Sequence, residues 1–176
     1  NEKIKLAINY YLKPYAVAVS NAENLGKDSV FHARFSAKER HYQYKILQQN
    51  YPPTFNAHLY LWQSKPLDCV AMQSAANLLV GKHDFSSFRS SLCSVKSAIK
   101  TINNITITKD NNIVAIDVRA PSFLHHQVRF IVGALLKVGL NKWTKDNLLN
   151  VLLAKDNTKN AALAPPHGLY LKKVVY

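Results

Sequence analysis

Residues 31–46 read FHARFSAKERHYQYKI. From His41 onward the stretch alternates as a half-buried strand does: Tyr42, Tyr44 and Ile46 fall on one face, His41, Gln43 and Lys45 on the other. One short segment thus carries four basic side chains (Arg34, Lys38, Arg40, Lys45), two histidines (His32, His41) and four aromatics (Phe31, Phe35, Tyr42, Tyr44). A strand holds its side chains in fixed directions, so it can present an aromatic ring beside a cationic surface. That combination suits stacking on an unpaired base while holding its phosphates. An ordinary core strand with a solvated basic face has the same pattern, and the residues alone leave both readings open. Residues 30–47 as a whole fit two strands or one long strand with a kink.

Upstream, residues 2–12 place Ile4, Ala7 and Tyr11 on one helical face, with Leu6 and Tyr10 beside them, and Pro14 ends the helix. Residues 15–19 fit a short strand and residues 21–28 a loop. Downstream, YPPT at 51–54 is a stiff loop and residues 58–63 fit a strand. Residues 66–81 predict a helix burying Leu67, Val70, Ala71, Ala75, Leu78 and Leu79, with Gly81 as its stop. HDFSSFR (83–89) reads as a polar and aromatic loop. Residues 99–108 and 113–119 fit two strands joined at Asp110-Asn111-Asn112, a hairpin. Residues 122–139 predict a second long helix, residues 144–154 a third with Thr144 as N-cap, and residues 169–176 a closing strand. Helices and strands mix without strict alternation. The expected class is α+β: a mostly antiparallel β-sheet with helices packed on one face.

The 176 residues suffice for a domain with a real core, and 48% hydrophobic against 19% charged residues is a globular balance. Twenty-three Lys and Arg against ten Asp and Glu give a net charge of +13 and a pI near 9.8, which favours a polyanionic partner. The longest mostly apolar run, residues 130–140, is too short to span a bilayer, so no membrane partner is expected. Cys69 and Cys93 form no CxxC pair, which fits a reducing compartment, the cytoplasm. No Walker loop, dinucleotide fingerprint or GxSxG elbow is present.

The second long helix holds the sharpest polar feature. Arg129 stands in the apolar run QVRFIVGALL, with Gly133 four residues on leaving its neighbouring face open. An arginine stays charged at any working pH and is costly to bury without an anion. It should therefore meet a carboxylate or phosphate; a helix-surface arginine, or a structural ion pair with Asp84 or Asp117, is the plainer alternative. His125 and His126 are adjacent, so on a helix they diverge by roughly 100° and lack the i, i+4 spacing of a zinc pair. No metal site is expected.

FHARFSAKERHYQY, DFSSFR, FLHHQVRFIVGALLKVG and the closing PPHGLYL stand in the order found in tRNA pseudouridine synthases of the A type, and over residues 15–176 the chain resembles that family. The resemblance implies the C-terminal half of a pseudouridine synthase fold. Residues 1–24 would be a remnant of the N-terminal half or a linker. Residues 25–176 would be an α+β domain that binds RNA and completes the active site. It further implies a homodimeric enzyme that isomerises uridines on the 3′ side of the tRNA anticodon stem-loop, without metal or organic cofactor, on a nucleotide flipped out of its stack. Matched motif by motif, Tyr42 is the tyrosine that stacks on the target uracil and could accept its proton. Arg129 pairs with the catalytic aspartate, and Leu169 packs against the base. His32, Arg34 and Arg89 lie in matching motifs as candidate RNA contacts.

One departure is large. The family's aspartate lies in an Arg-Thr-Asp-Gly motif, which does not occur here; Asp28, Asp68, Asp84, Asp110, Asp117, Asp146 and Asp156 all stand in other contexts. The expectation is a chain that lacks the nucleophile and by itself binds RNA weakly and catalyses nothing. The rival reading is a non-catalytic basic RNA-binding domain, and a weaker third is a metal-dependent nuclease using the histidines.

Overall fold

The computed structural model describes residues 2–26 and 28–176; Asn1, and Lys27 of the expected 21–28 loop, lie outside the described residues. The chain divides into two compact units, Asn1–Ser36 and Ala37–Tyr176.

The first unit contains helix α1 (Glu2–Leu12), as its apolar spacing predicts, although none of its residues is buried. The strand expected at 15–19 does not form. The Asn9 side chain donates to the Val19 carbonyl (2.9 Å) and accepts from its N–H (2.8 Å), so a side-chain amide takes the place of a ladder partner. Residues 33–36 are a turn rather than strand, closed by Ser36 N–H donating to the His32 carbonyl at 2.8 Å.

In the second unit the chain runs β1 (Glu39–Gln48), β2 (Leu61–Gln63), α2 (Cys69–Asn77), β3 (Gly81–Asp84), β4 (Ile99–Ile102), β5 (Asn104–Asp110), β6 (Ile113–Ala120), α3 (Gln127–Gly139), α4 (Lys145–Ala154) and β7 (Leu169–Val175). β1 is the hub. It pairs antiparallel with β6 on one side; on the other it pairs antiparallel with β7 along its first half and parallel with β2 at its end. β5 closes the far side through the expected hairpin with β6, whose turn places Asn111 at φ 52°. β3 and β4 form a separate two-stranded sheet.

Alternation decides the layers. Tyr44 and Ile46 of β1 and Val114, Ile116 and Val118 of β6 are fully buried against α2 (Met72, Ala75, Ala76), α3 (Ile131, Val132, Leu135) and Leu148 of α4. The opposite face is polar: Gln43 and Lys172 both donate to the Asp117 carboxylate, Lys172 at 2.9 Å. This is the expected α+β arrangement.

Several boundaries differ from the sequence expectation. α2 is shorter than 66–81 because the Asp68 carboxylate accepts from Ala71 N–H (2.9 Å) and starts the helix there. The presumed loop at 83–89 begins inside β3 and ends in a 3-10 turn, Ser86–Phe88. Residues 58–63 supply only the short β2, after a 3-10 turn at Ala57–Leu59. The strand at 99–108 breaks at Asn103, whose N–H donates to Arg119 (2.8 Å), so its halves join different sheets. The second long helix starts at Gln127, not 122, because His126 sits in the left-handed region at φ 62°. His125 and His126 thus precede the helix.

Candidate functional site

Tyr42 and Tyr44 share the helix-facing side of β1, about 7 Å apart along the strand. Tyr42 is half-buried, with its ring edge-to-face on Phe123 (centroids 5.2 Å, planes at 86°). The β1–β7 ladder shifts register between His41 and Tyr42, a bulge that sets Tyr42 opposite Leu171 and Tyr44 opposite Leu169. Leu169 is half-buried against the core, whereas Leu171 is exposed.

Arg129 lies in the first turn of α3 and is half-buried. Its Nε–H donates to the Ala164 carbonyl at 2.6 Å, and Ala164 N–H donates back to the Arg129 carbonyl at 3.2 Å. Residues 161–165 therefore strap across α3. Gly133 makes the strap possible, since a Cβ there would collide with the Ala162 carbonyl oxygen. The open face expected beside Arg129 is filled by this backbone. Tyr44, fully buried, donates its hydroxyl to the Pro165 carbonyl at 2.8 Å. Burial pushes its phenol up to about 12, opposed by the nearby Arg129 guanidinium, so at neutral pH it is a fixed donor.

Arg129 has no carboxylate partner among the described residues. Asp84 accepts from Ser86 Oγ (2.7 Å) and lies 3.9 Å from Lys155; Asp117 is held by Gln43 and Lys172. Both anions of the plainer alternative are thus engaged elsewhere. The arrangement is a half-buried cation with its Nε fixed and its charge acting on the Tyr44 phenol; Tyr42, two residues along β1, and Leu169, the β7 partner of Tyr44, share the sheet face of Tyr44. This arrangement can hold an anion next to a flat apolar ligand.

Beside it, His125 and His126 stack at 3.8 Å rather than diverging on a helix. Burial, then the charges of His125 and Arg129, hold the His126 imidazole below its usual value, so it is neutral near pH 7. Gln127 ties the segment down through Leu124 N–H donating to its Oε1 (2.8 Å), and its own Nε2 is a buried donor with no acceptor among the described residues.

Arg89 follows the 3-10 turn after β3, in a polar cavity of about 210 Å³ shared with Ser86, Ser91, Cys93, Lys155, Asp156 and Asn157. Its guanidinium donates to the Val95 carbonyl over a long 3.5 Å. His32 and Arg34 belong to the first unit. His32 Nδ1 accepts from Arg34 N–H (3.1 Å) and Phe35 N–H (3.3 Å), while the Arg34 guanidinium lies 5.7 Å from the Phe35 ring centre. The sequence reading missed Tyr44 and the 161–165 strap. The period-2 pairing of Tyr42 with Tyr44 was the available signal for the first; nothing local announced the second.

Known proteins match this chain over most of its length. A sequence model described as tRNA pseudouridine synthase matches residues 75–176, the part that holds Arg129 and Leu169. The tRNA pseudouridine synthase A of Bartonella tribocorum is 45% identical over 175 residues, covering 98% of this chain and 70% of its own length. That of Rhodospirillum rubrum is 44% identical over 168 residues, covering 96% of this chain and 60% of its own. No described helix is long and apolar enough to cross a membrane. With more than half of its residues matched by the family model, and these two relatives agreeing, the chain belongs to the tRNA pseudouridine synthase family.

Proposed function

We propose that this chain forms the uracil-holding side of an enzyme that isomerises uridine to pseudouridine in the anticodon stem-loop of tRNA, on its 3′ side. The observation that carries the reading is Arg129: a half-buried guanidinium anchored through Nε, with no carboxylate partner among the described residues, close enough to act on the phenol of Tyr44, which shares its sheet face with Tyr42 and Leu169. In this reading it pairs with the catalytic aspartate, and that pairing keeps the carboxylate ionised. The carboxylate starts cleavage of the N1–C1′ bond. The uracil turns between the Tyr42 ring and Leu169, and C5 then bonds to C1′. N1 gains a proton, and C5 loses one to Tyr42 or to solvent. The net charge of +13 supports the tRNA partner, and Arg89, His32 and Arg34 are candidate phosphate contacts. Homodimeric assembly and a cytoplasmic setting complete the proposal.

Release of tritium from tRNA labelled at uracil C5 tests it, using the synthase that carries this chain. Arg129→Gln is expected to lower turnover by about 10³-fold, because a buried carboxylate loses its counter-charge, while tRNA affinity stays within a few-fold. Tyr42→Phe should likewise spare binding more than turnover. Normal turnover in Arg129→Gln would overturn the reading.

A further inference from the structure

We propose that Tyr44 is a positioning residue, which sets the aim of the Arg129 guanidinium and the depth of Leu169 through contacts of its own ring and hydroxyl. The inference rests on the reading of Arg129 and Leu169 given above. Four observations meet at this side chain. Its hydroxyl donates to the Pro165 carbonyl at 2.8 Å, which pins the end of the strap. One residue earlier, the Ala164 carbonyl accepts from Arg129 Nε at 2.6 Å, so the strap's position fixes the guanidinium. Its ring lies against Gly168: a Cβ there would come within 2.8 Å of both Cε1 and Cζ. Leu169, next in the chain, is its direct partner in the β1–β7 ladder.

A core tyrosine needs only some acceptor for its hydroxyl. Here the acceptor, the covering glycine and the paired leucine are Pro165, Gly168 and Leu169, parts of one short run, and that run reaches Arg129 at its other end. On the β6 side the fully buried ring has Ile116, its ladder partner, equally buried. Losing the hydroxyl frees the strap, and the strap is what holds Nε. Tyr42, on the same face two residues away, presents its ring to Phe123 and has no part in this chain of contacts.

Hydrogen exchange at the Arg129 Nε–H, followed by nitrogen-15 NMR of this chain, reads the aim of the guanidinium directly and does not depend on turnover. Tyr44→Phe is expected to speed that exchange about three- to tenfold, the weight of one hydrogen bond. Tyr42→Phe, and Ile116→Val as a control for general loss of stability, should stay within about twofold by the same conversion. Gly168→Ala displaces the ring while keeping the hydroxyl, and gives a second route should Tyr44→Phe fold poorly. In the complete synthase, Tyr44→Phe should lower kcat by a similar factor and leave KM unchanged. Unchanged Arg129 exchange in folded Tyr44→Phe or Gly168→Ala would overturn the proposal, as would equal acceleration in Ile116→Val. If Tyr44→Phe loosens Arg129 yet Arg129→Gln turns over normally, the positioning stands and the reading of the reaction falls.

Discussion

Two helices of the second unit begin in opposite ways. α4 starts by local means: Thr144 Oγ1 accepts from Asn147 N–H, the Asn147 side chain accepts from Thr144 N–H at 2.8 Å, and Asp146 sits in the first turn. α3 has no side-chain cap; its N-cap His126 is in the left-handed region, and the helix begins only where Gln127 buries itself against Leu124. The self-capped end is remote from any proposed chemistry. The uncapped end carries Arg129 and is held from outside, by the 161–165 strap and by Tyr44 behind it. With no side-chain cap of its own, this end takes its restraint from a segment some thirty residues later.

The contrast can be broken in three ways, beginning with the largest expected effect. Burial pushes the Tyr44 phenol up to about 12 in the folded chain, against 10.0 when free. The folded state therefore holds its proton more tightly. That stability is complete below pH 10 and is lost as pH rises through 12, a difference of up to about 3 kcal/mol. Urea unfolding of wild type between pH 9 and 12 should fall more steeply than that of Tyr44→Phe, whatever the lysines contribute to both. Parallel curves would mean that the phenol is not buried as described.

Gly133→Ala comes next. Its methyl would meet the Ala162 carbonyl, a backbone atom that cannot rotate away, so the strap must lift. The expected cost is about 2 kcal/mol, by overpacking, with faster Arg129 Nε–H exchange alongside. Thr144→Ala is the smallest: loss of the α4 cap should cost about 1 kcal/mol and leave both Arg129 exchange and pseudouridine formation untouched. A turnover defect in Thr144→Ala would show that the two helix starts are coupled after all.

Much of the candidate site was legible in the residues. Arg129 in an apolar run announced a need for an anion, and the structure finds the two candidates named from the sequence, Asp84 and Asp117, engaged by other partners. The motif resemblance singled out Tyr42 and Leu169, which fall on one face of β1 and its neighbour β7. The start of α3 was not legible, since FLHHQVRFIV has helical apolar spacing from its first residue and only the backbone at His126 interrupts it. Nor was the split of residues 99–108, where one backbone bond from Asn103 to Arg119 sends the halves to different sheets.

By itself the sequence determined the periodic elements: β1 from the alternation around Tyr42 and Tyr44, the β5–β6 hairpin, α4 with its Thr144 cap, and the basic excess. These depend on neighbours within a few positions, where spacing dictates which side chains meet. Tertiary structure alone decided that Gly133 admits the strap, that Ala164 orients Arg129, and that Tyr44 backs them both. Those contacts join residues 29 to 121 positions apart, and their partners are backbone carbonyls that every residue carries, so no side-chain pattern could mark them beforehand.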